Sequence, residues 1–330
     1  MNHMLPNSQR WAAEELASAA LGDARLTKRF VRIVADKVAK PSASIPQASG
    51  DWAATKATYR FLAADHITPE ALRAAAYDAT LRRVQAHDTI LLLQDTTELN
   101  YTSHPHTTDL GALDNAHARG LKVHSGLATT LAGVPLGLLH QAVWSRPAPT
   151  KGRPSRRTRP QAKRESQRWL TTLEAVQQRV PQTTRLIVVA DREADIYPLF
   201  IHERDSRTDL VIRATYNRGI VGGKRLEDVK AELVWQGSSR VDIPGNGQRA
   251  GRTATVRIGW AEVQVLPPTD YPAPAAAPRP SLNLIVVEES GPPVGVQPLR
   301  WLLWTTLAVE SWEDAVRVVE IYRARWLIER

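Results

Sequence analysis

A chain of 330 residues has room for one large domain and a smaller one, or for two ordinary domains, and 43% hydrophobic with 23% charged residues is a globular composition. No apolar run approaches the roughly 18 residues of a membrane span and no signal-peptide core opens the chain, so neither a membrane partner nor export is expected and the cytoplasm is the expected location. The absence of cysteine excludes disulfides and thiolate zinc sites, while 43 Lys+Arg against 34 Asp+Glu leave a net charge of +9 whose meaning depends on where it lies.

The first 85 residues read as helices joined by short turns. In "LGDARLTKRFVRIVADKVAK" the spacing puts Leu26, Phe30, Ile33, Val34 and Val38 on one face, with Asp23 near the N-terminus as a cap. Arg25, Arg29, Arg32 and Lys40 project from the other faces, a basic stripe suited either to solvent or to DNA phosphates. "DWAATKATYRFLAAD" continues the pattern, and "TPEALRAAAYDATLRRVQAH" adds Thr68 and Pro69 at N-cap and first-turn positions. A small all-helical unit is expected.

At Thr89 the pattern changes. "TILLLQ" predicts a short buried strand ending at Asp95, and "KVHSGLATTLAG" with "PLGLLHQAVW" predicts two strands joined near Gly133–Pro135. Lys151–Arg168 follows with eight basic residues and one acidic, either a solvated loop or an attraction for a polyanion. Next come a helix, "RESQRWLTTLEAVQQRV", and a strand, "RLIVVADREADIYPLF", that breaks at Asp191. Strand, hairpin, helix, strand is an α/β pattern with a parallel crossover. About 213–300 the chain turns β-prone and rich in Gly and Pro, as expected of a β-rich insertion. A final amphipathic helix over 311–330 sets Tyr322, Arg325 and Glu329 at i, i+3 and i+7, on one face.

The carboxylates carry the candidate chemistry. Asp95 and Asp191 each close a predicted apolar strand, the edge where open α/β sheets place their sites, although aspartate also occurs there as a cap or turn residue. With Glu329 on the last helix, the three can hold two magnesium ions about 3.5–4 Å apart, with manganese as a substitute; oxygen donors suit such hard cations. "YTSHPH" sets His104 and His106 close after Asp95, but in a polar loop without an element to fix them; His124 and His140 fall in strands and read as core histidines.

"LLLQDTTELNY", "VVADREADIY" and "IYRARWLIER" together resemble the DDE transposases of bacterial cut-and-paste insertion sequences. More narrowly they resemble the hairpin-forming group with a Tyr-x2-Arg-x3-Glu-x6-Lys signature, known from a composite antibiotic-resistance transposon. "SAALGDARLTKR", "ATYRFLAADHITPEALRAA", "LGLLHQAVWSRP" and "PLRWLLWTT" extend the likeness along the chain. The resemblance implies an α/β ribonuclease-H-like core over 86–330 interrupted by the β-rich insertion, after a helical unit over 1–85 that binds transposon ends. It implies a metal triad of Asp95, Asp191 and Glu329, and phosphoryl transfers that cleave DNA, form a hairpin and join the end to target DNA.

The same resemblance places Tyr322 and Arg325 on DNA phosphates, Arg213 near the transferred strand, and Trp301 where a flipped base is accommodated; a core aromatic is the other reading of Trp301. Arg192 is open between a DNA contact and a structural pairing with Glu193 or Asp195. The family signature runs seven residues beyond its glutamate to a lysine, and the family carries a C-terminal dimerisation region. Neither follows Arg330, so a truncated product is expected, with a homodimer on paired ends in doubt. Two classes of function stand: a transposase that cuts and joins DNA, and an end-binding protein that does not cleave and interferes with an intact copy. A nuclease without preference for element ends is a third reading, which leaves the N-terminal likeness unexplained.

Overall fold

A computed structural model describes residues 7–115, 117–147, 165–245 and 250–329. Most of the basic run at 151–168 lies outside the described residues; only 165–168 of it are inside. The chain divides into two compact units, one reaching Ala86 and taking in Leu136–Leu139, the other formed by the rest.

The first unit holds helices α1 (Ser8–Glu15), α2 (Ala24–Ala39), α3 (Ile45–Ser49), α4 (Trp52–Leu62) and α5 (Pro69–Val84). Side-chain caps start four of them: Asn7 accepts from the Gln9 amide at 3.2 Å, Asp23 from Arg25 at 2.7 Å, Asp51 from Ala54 at 2.7 Å, and Thr68 from Ala71 at 3.2 Å. Phe30 of α2 stacks on Phe61 of α4 with ring centroids 6.0 Å apart. Leu16, Leu21 and Ala75 complete the buried centre, and Leu26, Ile33 and Val34 pack against it.

Among the described residues the second unit is built on one ten-stranded sheet, less Leu136–Leu139 of its fourth strand. Its strands are β1 (Thr89–Asn100), β2 (Gly111–Ala112), β3 (Arg119–Thr130), β4 (Pro135–Trp144), β5 (Arg185–Ala190) and β6 (Thr208–Arg213), then, after a two-stranded hairpin of β7 (Gly219–Ile220) and β8 (Lys224–Arg225), β9 (Gly237–Ile243), β10 (Arg252–Gln264), β11 (Ser281–Glu289) and β12 (Arg300–Thr305). The spatial order is β2-β3-β1-β5-β6-β12-β11-β10-β9, with β4 also paired to β3. β5 pairs in parallel with β1 on one side and with β6 on the other. Where they pair, each carries a short continuous apolar run (ILLL in β1, LIVVA in β5, LVI in β6), as strands covered on both faces require. Helices α6 (Gln167–Gln177), α7 (Tyr197–Ile201), α8 (Leu226–Glu232) and α9 (Trp312–Arg323) complete the unit. No helix among the described residues is long and apolar enough to cross a membrane.

The β-prone segment at about 213–300 continues the same sheet outward: β12 pairs with β6, and β11, β10 and β9 follow. Two expectations change. The first strand does not end at Asp95. Parallel pairing with β5 stops at Gln94↔Ala190, but β1 continues to Asn100 because β3 still pairs it, with Asp95 opposite Ser125. The last helix is α-helical only to Arg323 and then tightens to a 3-10 helix over Ala324–Glu329. Ala324 N–H donates to Ile321 O, the i→i+3 bond with which a helix closes its last turn.

Candidate active site

Alternation along β1 sorts its side chains between two faces. Leu91 and Leu93 belong to the core beneath α9, together with Ile187 and Val189 of β5 and Val211 of β6. Asp95 is the next residue on that face. The register places Asp95 and Asp191 each one step past the last paired residues of β1 and β5, on strands roughly 5 Å apart. Asp191 leaves the sheet there and caps a 3-10 turn over Arg192–Ala194, its Oδ1 accepting from the Glu193 amide at 2.9 Å.

The final 3-10 helix packs over this edge, with Trp326, Leu327 and Ile328 against the main core. It brings Arg325 and Glu329 over the aspartates, where the two form an ion pair. At three residues per turn, positions four apart lie about 120° apart around the axis, so Arg325 and Glu329 do not share the single α-helical face expected of them. Their long side chains close the gap.

The charges register this crowding. Burial raises the Asp95 pKa to about 6; its Thr96 amide and Arg325 pull it down, while Asp191 and Glu329 push it further up. Burial opposes the Arg325 charge, but Tyr322, Glu329 and Asp95 hold its pKa above the ordinary arginine value. Three carboxylates and one guanidinium therefore feel one another at this edge. Their donor atoms are not gathered into a coordination sphere: among the described residues no three His, Asp or Glu side chains are placed to hold a metal ion. In donor chemistry the set fits a hard divalent cation, with Glu329 occupied by Arg325 in this arrangement.

A cationic wall adjoins the carboxylates. Arg213 at the end of β6 donates to Arg300 O at 3.1 Å; burial lowers its pKa, and Arg192 and Arg325 add repulsion. Tyr322 is 4% exposed and lies within electrostatic reach of Arg213 and Arg325, yet no hydrogen bond of normal geometry reaches its hydroxyl. Burial raises the Tyr322 pKa, which keeps that proton in place as an unused donor. Trp301 is 3% exposed, its ring edge-on to Tyr322 at 5.0 Å and to Trp326 at 5.6 Å. In this arrangement it is a core aromatic and offers no free face to a base, because α9 and the 3-10 helix cover it.

The "DREAD" run divides its labour. Asp195 is fully buried; it pairs with Arg218 at 2.7 Å and accepts from the amides of Thr215 at 2.7 Å and Tyr216 at 3.0 Å. Glu193 pairs with Arg168. Neither is a partner of Arg192, which lies close enough to Arg213 to repel it, so the structural pairing expected as one option for Arg192 is not formed.

The histidines are apart from this edge. His104 and His106 are exposed, His104 edge-on to Tyr101 at 5.7 Å. His140 Nδ1 lies 2.9 Å from Thr172 Oγ1. His124, on β3, is fully buried on the opposite face of the sheet, 2.9 Å from Thr96 Oγ1 and 3.0 Å from Gln94 Oε1.

In the helical unit, Arg25 is exposed and ion-paired to the capping Asp23, and Arg29 is half-buried. Sequence reasoning missed a second feature there. Trp52 is 77% exposed on α4, with Lys56 and Tyr59 following it at i+4 and i+7 on the same face. The i, i+4, i+7 spacing was legible; what it did not tell was that this face is the exposed one.

Comparison with known families matches residues 8–67, from α1 through α4, to a model described as transposase DNA-binding. The match supports a transposase, and DNA as the partner of the helical unit.

Proposed function

We propose that the chain is a DDE transposase of the cut-and-paste insertion-sequence type, and that its second unit is a ribonuclease-H-like core that cleaves element ends and joins them to target DNA. The observation that carries the reading is the parallel register of β1 and β5, which sets Asp95 and Asp191 side by side under Arg325 and Glu329. The strand order β4-β3-β1-β5-β6, with β3 antiparallel and β5 parallel to β1, supports the core assignment.

Asp95, Asp191 and Glu329 are the residues that would hold magnesium or manganese. Two such ions would supply an activated water or 3′-hydroxyl and stabilise the leaving oxygen of an in-line displacement. The chain's own groups do the rest. Arg213, Arg192 and Arg325 offer positive charge to a phosphodiester, and the Tyr322 hydroxyl offers a donor with nothing else to bond. A phosphate on this wall gives Arg325 a second anionic partner, and Glu329 is then free to turn toward the aspartates.

The test is to incubate the chain with magnesium and DNA spanning its own gene's flanks and map nicks to the nucleotide. A nick at an inverted-repeat end, absent in Asp191→Ala, is the expected outcome. A second reading, end binding without cleavage, is favoured by the engagement of Glu329 with Arg325; it predicts selective retention of the flanks and no nick.

A further inference from the structure

Behind Asp95, on the α6 face of the sheet, lies a polar network that the proposed chemistry does not use. Its centre is Arg168, in the first turn of α6, with a side chain only 13% exposed. Both facts count against an arginine: burial lowers its pKa, and the positive end of a helix dipole repels it. Its bonds offset this. Nε donates to Thr96 Oγ1 at 2.9 Å, one terminal nitrogen donates to Glu165 O at 2.9 Å, and the other pairs with Glu193. The guanidinium lies 5.5 Å from the Trp169 ring centre and 5.8 Å from that of Trp144.

Each partner leads to one of the aspartates. Thr96 follows Asp95 on β1 and pairs with His124 across the β1–β3 ladder. Arg168 Nε donates to Thr96 Oγ1, which lies 2.9 Å from His124 Nδ1, and His124 Nε2 lies 3.0 Å from Gln94 Oε1, so the contacts form a continuous chain. Glu193, at the other end, is the residue whose amide donates to Asp191 Oδ1 at 2.9 Å.

We infer that Arg168 is a positioning residue that ties the Asp95 strand to the Asp191 turn from behind and fixes the spacing of the two carboxylates. This rests on the reading of those aspartates as a divalent-cation site. A lysine keeps the charge at position 168 but cannot bond Thr96 and Glu193 with one planar fork.

The test compares the full chain with Arg168→Lys, Glu193→Gln and Asp191→Asn. Manganese affinity is read by electron paramagnetic resonance, and hydrogen exchange over 94–97 and 191–195 is read without metal. Far-UV circular dichroism checks that each variant folds. Arg168→Lys is expected to weaken manganese binding about ten-fold, the scale on which residues behind metal ligands act, and to speed exchange of the Glu193 amide. Glu193→Gln keeps an acceptor without the charge and should show a smaller change in the same direction; it carries the test if Arg168→Lys does not fold. Manganese affinity equal to wild type in the folded variants, while Asp191→Asn loses it, overturns the inference. If wild type binds no manganese, the cation reading fails by itself, and unchanged exchange over both segments then overturns the positioning role as well.

Discussion

The two faces of β1 share a backbone and differ in the charge they hold. On the α6 face, His124 has neighbours on both ring nitrogens, and Thr96 lies between His124 and Arg168. On the α9 face, Asp95 is raised by burial and by its neighbouring carboxylates, and the proton of the Tyr322 hydroxyl has no acceptor. Unused donors do not separate the faces, because Gln94 Nε2 and Trp169 Nε1 are also buried without a partner on the α6 side. What separates them is the crowding of like-charged carboxylates on the α9 face, as expected where a charged ligand completes a site.

Substitutions can break this contrast. The largest effect is expected from Asp95→Asn or Asp191→Asn, which should reduce end nicking by about a thousand-fold or more, since each removes a ligand of the proposed metal pair. Flank retention should be unchanged, because the match to a DNA-binding family lies wholly in the helical unit. Nick mapping beside a filter-retention assay separates the two, and joint loss of both activities counts against the division.

The α6 face should answer in stability instead. Trp169 is 1% exposed and edge-on to His124 at 4.6 Å, so Trp169→Ala is expected to cost about 3–5 kcal/mol in a denaturant titration. A cost under about 1 kcal/mol contradicts a packed α6 face.

A pH series sharpens the comparison further. Burial, with Arg168 and His140 adding repulsion, pushes the His124 pKa down to about 3, against about 6.5 unfolded. Between those values the unfolded chain binds a proton that the folded chain refuses, so stability falls with falling pH by about 1.4 kcal/mol per unit from this group alone. It is fully recovered above about pH 6.5. His124→Gln should flatten that part of the curve, and an unchanged slope contradicts a neutral buried ring.

The smallest effect is expected at Tyr322. Tyr322→Phe removes a buried hydroxyl whose proton has no acceptor but whose oxygen faces the Arg213 guanidinium, and should change stability by less than about 1 kcal/mol. The same variant should weaken retention of cleaved ends if that hydroxyl bonds a phosphate.

Much of this contrast was legible in the residues and part was not. "LIVVA" followed by Asp191 marks a strand end by itself, because an apolar run and a polar stop are local signals. Asp95 looks the same in "LLLQD", but β3, thirty residues away in the register at His124 and Ser125, decides that β1 continues. The 3-10 ending at Ala324 left no trace in a spacing that suits an α-helix equally well. Arg168 was hidden as the last cation of a basic run, although a positive charge in the first turn of a helix was itself a sign of a fixed partner. The outward growth of the sheet from β12 to β9 was illegible for a general reason: strand pattern tells which residues face in, not which strand lies alongside.

The measurement that bears most directly on the α9 face is a crystal structure of the chain grown with manganese and read by anomalous scattering. A peak between the Asp95 and Asp191 carboxylates, with Glu329 turned from Arg325 toward it, is the predicted result. No peak at that edge under saturating manganese, with Glu329 still paired to Arg325, would contradict the account.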